Sequence, residues 1–340
     1  MDFPVSISVI MSTYNTEAAY LKIAVESIIG QTFRDFEFII IDDGSDNGSD
    51  AYLREISDER VRIITNPENL GITKSLNIGI RDARGKYIAR MDADDLSLPT
   101  RLEKEFAFME ANPDVVVCGA QEDFLTDEGV IENSKKHKGF SDMESYRVKM
   151  LFMNPGPIHP TAMIRHETLL VNHILYDEKL IHAQDYGMWE TLSHFGRICA
   201  LDEVLLYRRK AKKRISVTRR DLQIKCDKMT QKKMLSELLG EVTDEELDLH
   251  YRYSTGYYKG AGLTPEIEKW YDRLLAANET KRIYDRKKFK KGIIDTKKRL
   301  IRYSFTPEMQ NKDKLSLIFE HLPFMEGVRM IFGNIKRGIW

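Results

Sequence analysis

Cysteine is scarce in this sequence. Cys118, Cys199 and Cys226 are widely separated, and their number is odd. That excludes a disulfide framework and the paired spacing of a structural zinc site, and it fits a reducing compartment in which the thiols act as buried small hydrophobes. Long hydrophobic runs are missing too: no window reaches the ~18 apolar residues of a membrane span. The stretch MDFPVSISVIMSTYN lacks the basic n-region of a secretory signal, so the expected location is the cytoplasm. No low-complexity tract interrupts the chain, and 42% hydrophobic with 31% charged residues is a globular composition. No G-x-G-x-x-G follows the first strand-like run, where STYNTE stands instead, which argues against a dinucleotide-dependent dehydrogenase.

Charge is nearly balanced overall, at −1, but it is unevenly distributed. Residues 1–205 carry 20 Lys and Arg against 35 Asp and Glu, a net of −15; residues 206–340 carry 32 against 18, a net of +14. The two parts are therefore expected to face different partners.

The first 120 residues alternate apolar strand-like runs with helical patterns, the signature of βαβ units and a mainly parallel sheet. Residues 6–11, 36–41, 61–65, 86–91 and 115–120 read as strands, and Glu17 to Gly30 as an amphipathic crossover helix. Pro99 marks the start of another helix. Further on, 157–170 reads as strand then helix, 182–196 as a helix, and 197–209 as two short strands, before a mostly helical remainder from about 216.

Ligands of open parallel sheets bind beyond the carboxyl ends of the strands. At those ends stand Ser12 to Asn15, Asp42 to Ser45, Asn66 to Gly71, and Asp92 to Asp95, so four polar clusters are expected on one rim. Three neighbouring acids, Asp92, Asp94 and Asp95, repel one another unless a cation neutralises them, and hard oxygen donors suit Mg²⁺ or Mn²⁺. The plainer alternative is that Asp92 merely ends a strand and Asp95 caps the following turn.

Several pieces in order, ISVIMSTYN, SIIGQTFRDFEFIIIDDGSDNGS, NLGITKSLNIGI, GKYIARMDADD, HPTAMIR, QDYGMWETL and LLYRR, resemble the inverting nucleotide-sugar glycosyltransferases of family 2, over roughly residues 5–216. The resemblance implies an α/β GT-A fold, a Rossmann-like mainly parallel sheet flanked by helices. Residues 1–120 would form its nucleotide-sugar-binding half and 121–216 its acceptor-binding half, with 217–340 a basic helical C-terminal appendage.

Carried over by position, the resemblance implies Thr13, Tyr14, Asn15 and Glu17 around the nucleotide of a UDP-sugar. It implies Asp43 accepting the N–H of the base, Lys74 near the diphosphate, Asp94 as metal ligand, and Asp92 as a second ligand nearer the ribose. The metal, Mn²⁺ or Mg²⁺, would stabilise the departing nucleoside diphosphate. Asp185 matches the general base for the attacking hydroxyl of a glycan or lipid-linked acceptor, although as a helix-start Asp it also suits the helix dipole. Gln184 stands where the family usually has Glu. Trp189 reads as core, and His159 as a hydrogen-bonded structural residue. YRRKAKKRIS (207–216) resembles a closing segment with Lys210 in place of His, and Arg208 is its expected diphosphate contact.

A sugar-1-phosphate nucleotidyltransferase would need a glycine-rich basic N-terminal loop, which is absent. Processive synthases carry Gln-x-x-Arg-Trp, also absent, so single-sugar transfer in cell-surface polysaccharide or lipopolysaccharide synthesis is expected. A non-catalytic nucleotide- or glycan-binding scaffold of the same fold is the alternative from another class. The tail segments KKFKKGIIDTKKRLIR and LSLIFEHLPFMEGVRMIFGNIKRGIW suit either an anionic membrane surface or packing on the catalytic domain. Nucleic acid is not an expected partner, since no recognition motif accompanies the charge.

Overall fold

The computed structural model describes residues 1–134, 142–210, 220–254, 263–305 and 309–337. The chain divides into two compact units, 1–143 with 156–227, and 144–155 with 228–340. The boundary expected near 216 lies outside the described residues.

The first unit is built on one sheet in the order β3-β2-β1-β4-β8-β6-β9-β5, with β7 pairing β6. Its strands are β1 (Val5–Thr13), β2 (Phe36–Asp42), β3 (Val61–Thr65), β4 (Gly85–Asp92), β5 (Leu96–Ser97), β6 (Val115–Leu125), β7 (Ile131–Glu132), β8 (Met163–Arg165) and β9 (Arg197–Arg209). β1 to β4 run parallel; β8 is antiparallel to both β4 and β6, and β6 and β9 are parallel. The five strands expected in the first 120 residues are all present. β2 is buried throughout, which is why its sequence reads as an unbroken apolar run rather than an alternation.

One expectation is corrected: 197–209 is a single strand, not two. Asp202 and Glu203 sit where Gly119 pairs with Ala200 but Gln121 pairs with Val204, so β9 bulges there and continues.

Helices α1 (Ala18–Ile29), α2 (Ser49–Glu55), α3 (Ile72–Asp82), α4 (Arg101–Ala111), α5 (Met143–Met150), α6 (His166–Val171) and α7 (Gln184–Leu192) follow the strands in turn. Leu21, Ala24, Val25 and Ile28 of α1 share one face and are fully buried with Ile7, Val9, Phe38, Tyr87 and Leu102. Gln31, also fully buried, links the end of α1 to the start of α4. Its Nε2 donates to the Leu98 carbonyl at 2.8 Å and its Oε1 accepts from the Leu102 N–H at 3.0 Å. Behind β4, the fully buried Arg101 donates to the Arg90 carbonyl at 2.8 Å and pairs with Glu105, fixing the strand two residues before Asp92.

The second unit is helical: α8 (Arg220–Leu239, from Lys228 onward), α9 (Asp244–Ser254), α10 (Pro265–Lys281), α11 (Arg286–Tyr303), α12 (Asn311–His321) and α13 (Phe324–Ile335), with most of α5. Phe289, Ile293, Leu300 and Ile301 of the basic helix α11 are buried, and Ile301 packs with Ile318, Leu322 and Met330. No helix among the described residues is long and apolar enough to cross a membrane.

Candidate active site

The expected rim exists. Thr13 is in register with Asp42, and Ser12 with Asp92, so the ends of β1, β2 and β4 lie side by side. Beyond β1, Asn15 adopts φ 50°, a left-handed conformation that asparagine tolerates. It is held there by Ser45, whose hydroxyl accepts the Asn15 N–H at 3.0 Å, and by Asp46, which accepts from Nδ2 at 2.8 Å while donating its own N–H to Oδ1 at 2.9 Å. Thr13 is buried, Tyr14 is half exposed, and Glu17 is exposed at the N-terminal boundary of α1.

Asp43 is almost wholly buried, and its carboxylate accepts three hydrogen bonds: Asn66 Nδ2 at 2.7 Å, Leu70 N–H at 2.9 Å and Gly71 N–H at 2.9 Å. A carboxylate offers about four lone-pair directions, so roughly one is left for a ligand. Gly44 makes this arrangement reachable. Its φ is 75°, and a Cβ there would stand 2.8 Å from the Glu68 carbonyl carbon. Asp42 accepts the Ser45 N–H at 3.1 Å, a turn role. Lys74 is exposed on the first turn of α3.

Oxygen atoms of Asp92, Asp94 and Asp95 lie within 4.8 Å of one another. Asp92 pairs with the buried Arg90. Burial, then the charge of Asp92, pushes the Asp94 carboxyl up to about 6. Asp95 is raised well above its ordinary value by burial and by both neighbours. Oδ1 of Asp95 accepts the Arg209 N–H at 2.9 Å, while its buried Oδ2 has no hydrogen-bond partner. Three hard oxygen donors, mutual repulsion and an orphaned buried carboxylate oxygen together fit a divalent cation.

Sequence reasoning missed Arg90 and Arg209. Arg209 donates Nε–H to the Asp94 carbonyl at 3.0 Å and stacks 3.8 Å from the Tyr20 ring centroid. Arg208, the residue singled out from sequence, pairs instead with Glu122 at 2.5 Å and lies over the Phe124 ring, so the structure does not bring it to the carboxylates. Neighbouring strand residues point to opposite faces, and that alternation was the available signal. Residues 211–216 of the expected lid lie outside the described residues.

Asp185 lies in the first turn of α7, partly exposed, where the helix dipole favours its charge. The N-cap is Ala183, so Asp185 does not cap the helix. Trp189 is core, fully buried with Nε1–H donated to the Pro157 carbonyl at 3.2 Å. His159 Nε2 and the Tyr176 hydroxyl form a hydrogen bond of 2.8 Å, which bears out a structural histidine. Burial and the charge of Arg90 hold His159 well below its ordinary pKa. Tyr176, a third residue missed in the sequence, is raised by burial and by the charges of both Asp185 and Asp92, against Arg90. One phenol therefore feels both the acid cluster and the helix α7 aspartate. Asn77 of α3 fixes the Tyr176 backbone with two bonds of 2.9 Å.

Residues 8–170 match the family model described as Glycosyl transferase family 2. An uncharacterized glycosyltransferase of Methanocaldococcus jannaschii, MJ1057, is 40% identical over 194 residues, covering 56% of this chain and 64% of that protein. The amylovoran biosynthesis glycosyltransferase AmsE of Erwinia amylovora is 29% identical over 58% of this chain and 74% of its own. The chain spans less than two thirds of the length of the curated relatives it matches at 30% identity or more. Among solved structures, S. aureus TarS 1-349 in complex with UDP-GlcNAc is similar over 98% of this chain and 92% of its own, at TM-score 0.55 and 17% identity. Over residues 8–170 the chain therefore matches glycosyl transferase family 2, and its first unit has the GT-A fold.

Proposed function

We propose that the protein is a metal-dependent inverting glycosyltransferase that moves a single sugar from a UDP-sugar to a hydroxyl of a glycan or lipid-linked acceptor in cell-surface polysaccharide or lipopolysaccharide synthesis. The observation that carries this reading is the clustering of the Asp92, Asp94 and Asp95 carboxylate oxygens within 4.8 Å of one another at the rim where β1, β2 and β4 end; the charges of Asp92 and Asp185 both bear on the Tyr176 phenol. UDP-GlcNAc bound to TarS supports a UDP-sugar donor, and the name of AmsE supports a polysaccharide product.

In this reading Thr13, Tyr14, Asn15 and Glu17 surround base and ribose, and the remaining lone pair of Asp43 accepts the N–H of uracil. Asp94, with Asp92 and Asp95, would hold Mn²⁺ or Mg²⁺. The bound ion supplies Lewis-acid stabilisation of charge on the leaving diphosphate. Lys74 and Arg208 are the proposed cationic contacts on the donor side. Asp185 takes the proton of the attacking hydroxyl as the new C–O bond forms on the face opposite the leaving group, which inverts the anomeric carbon.

A panel of nucleotide sugars assayed for hydrolysis with and without Mn²⁺ tests the proposal. Release of UDP from one sugar in a metal-dependent manner supports it. Nucleotide binding with no hydrolysis or transfer across the panel would favour the scaffold.

A further inference from the structure

We propose that the outward face of α13, extended by Phe319 of α12, docks on an anionic lipid surface. α13 is turned the opposite way from an ordinary amphipathic helix of a folded core. Phe324 is 70% exposed, Met325 60%, Phe332 63% and Ile335 55%, whereas Gly327, Met330 and Asn334 are buried. At 3.6 residues per turn the four exposed side chains fall within an arc of about 100°. Phe319, 39% exposed, stacks on Phe324 with ring centroids 5.6 Å apart, widening the patch.

The helix is held in this orientation by close packing. A Cβ on Gly327 would stand 2.8 Å from the Phe319 ring, and Glu326 pairs with Lys298 of α11. The basic helix α11 itself buries Phe289, Ile293, Leu300 and Ile301 and turns mainly charge to solvent, so it offers no comparable apolar stripe.

Charge identifies the occupant. Arg329, which pairs with Glu326, and Lys336 run along one border of the arc with Arg337 beyond them, all exposed, and no acidic residue lies within it. Residues 206–340 carry a net of +14. A second copy of the chain would bring like charges together around the patch, whereas an anionic bilayer attracts them and accepts a straight apolar stripe in its interface.

The test uses the full chain and vesicles of phosphatidylcholine alone or with about one third phosphatidylglycerol. Cosedimentation with the anionic vesicles is expected, weakened by raising salt from about 0.1 to 0.5 M. The double variant Phe324→Ser/Phe332→Ser should bind them at least about tenfold more weakly. Both positions are exposed, so melting temperature and UDP binding should stay at wild-type values, which separates this outcome from that of the sugar-transfer proposal. Failure of the wild-type chain to bind anionic vesicles, or equal binding by the variant, would overturn it. So would a wild-type dimer in sedimentation velocity that the double variant dissolves, since the face then belongs to a second copy.

Discussion

Arg209 donates its backbone N–H to Asp95 and its side-chain Nε–H to the Asp94 carbonyl, joining the end of β9 to the acid cluster across 114 residues of sequence. A substitution leaves the first bond and removes the second, together with the stacking on Tyr20. A bond from a charged donor contributes about 1.5–3 kcal/mol. Arg209→Ala should therefore weaken Mn²⁺-dependent UDP binding by roughly tenfold or more, while Arg208→Ala should leave the cluster's geometry intact. Calorimetric titration of both variants with UDP and Mn²⁺ checks the order; equal effects would show that Arg209 does not organise the site.

Asp185 is expected to separate binding from turnover. Asp185→Ala should bind UDP and donor nearly as the wild type does and lose about 10²–10⁴-fold in kcat with the acceptor, the usual range for a general base. Single-turnover kinetics beside donor titration provide the measurement. A kcat close to wild type would remove Asp185 from the role.

Asp43 holds its loop and, in the proposed reading, the nucleotide base as well. Asp43→Ala leaves Leu70 N–H and Gly71 N–H without their acceptor, each costing about 1–3 kcal/mol if it stays buried, and leaves Asn66 Nδ2 only its bond to Ser75. The expected result is a clearly lower melting temperature as well as lost UDP affinity. Lost affinity at unchanged stability would mean that the loop keeps its shape without Asp43.

His250, in the second unit, makes stability depend on pH. Trp270 Nε1 is a donor only, so its 3.0 Å contact makes Nδ1 of His250 the acceptor, and Nε2–H donates to the Leu151 carbonyl at 2.7 Å. Burial lowers its pKa to about 4. Between its unfolded value near 6.5 and about 4 the unfolded chain binds a proton that the folded chain does not. Stability is thus full above about 6.5 and falls by about 3 kcal/mol as pH drops through that window. Melts of wild type and His250→Gln from pH 7.5 to 5 should show the steeper loss in the wild type; parallel curves would contradict the assignment.

Much of the fold was legible because β1, β2 and β4 are largely buried apolar runs, and Asp92 and Asp94 drew notice by their place at the end of β4. Arg90, Tyr176 and Arg209 were not, because their importance arises from convergence: Arg209 comes from β9, Tyr176 from the segment pinned by Asn77, and neither carries a local pattern. Arg208 and Arg209 differ by one residue, which on a strand is a difference of face, so only Arg209 meets the acid cluster. The transfer of 144–155 to the helical unit was hidden because it is set by tertiary packing, such as the Leu151 carbonyl on His250, and by no break in composition.

The most direct measurement is a titration of UDP into wild-type protein and Asp94→Asn, each with Mn²⁺ and with EDTA. The proposed site requires strong binding by the wild type with Mn²⁺ and a loss of about a hundredfold or more on chelation or in Asp94→Asn. UDP affinity unchanged by EDTA and by the substitution would contradict a metal-held diphosphate at Asp92, Asp94 and Asp95.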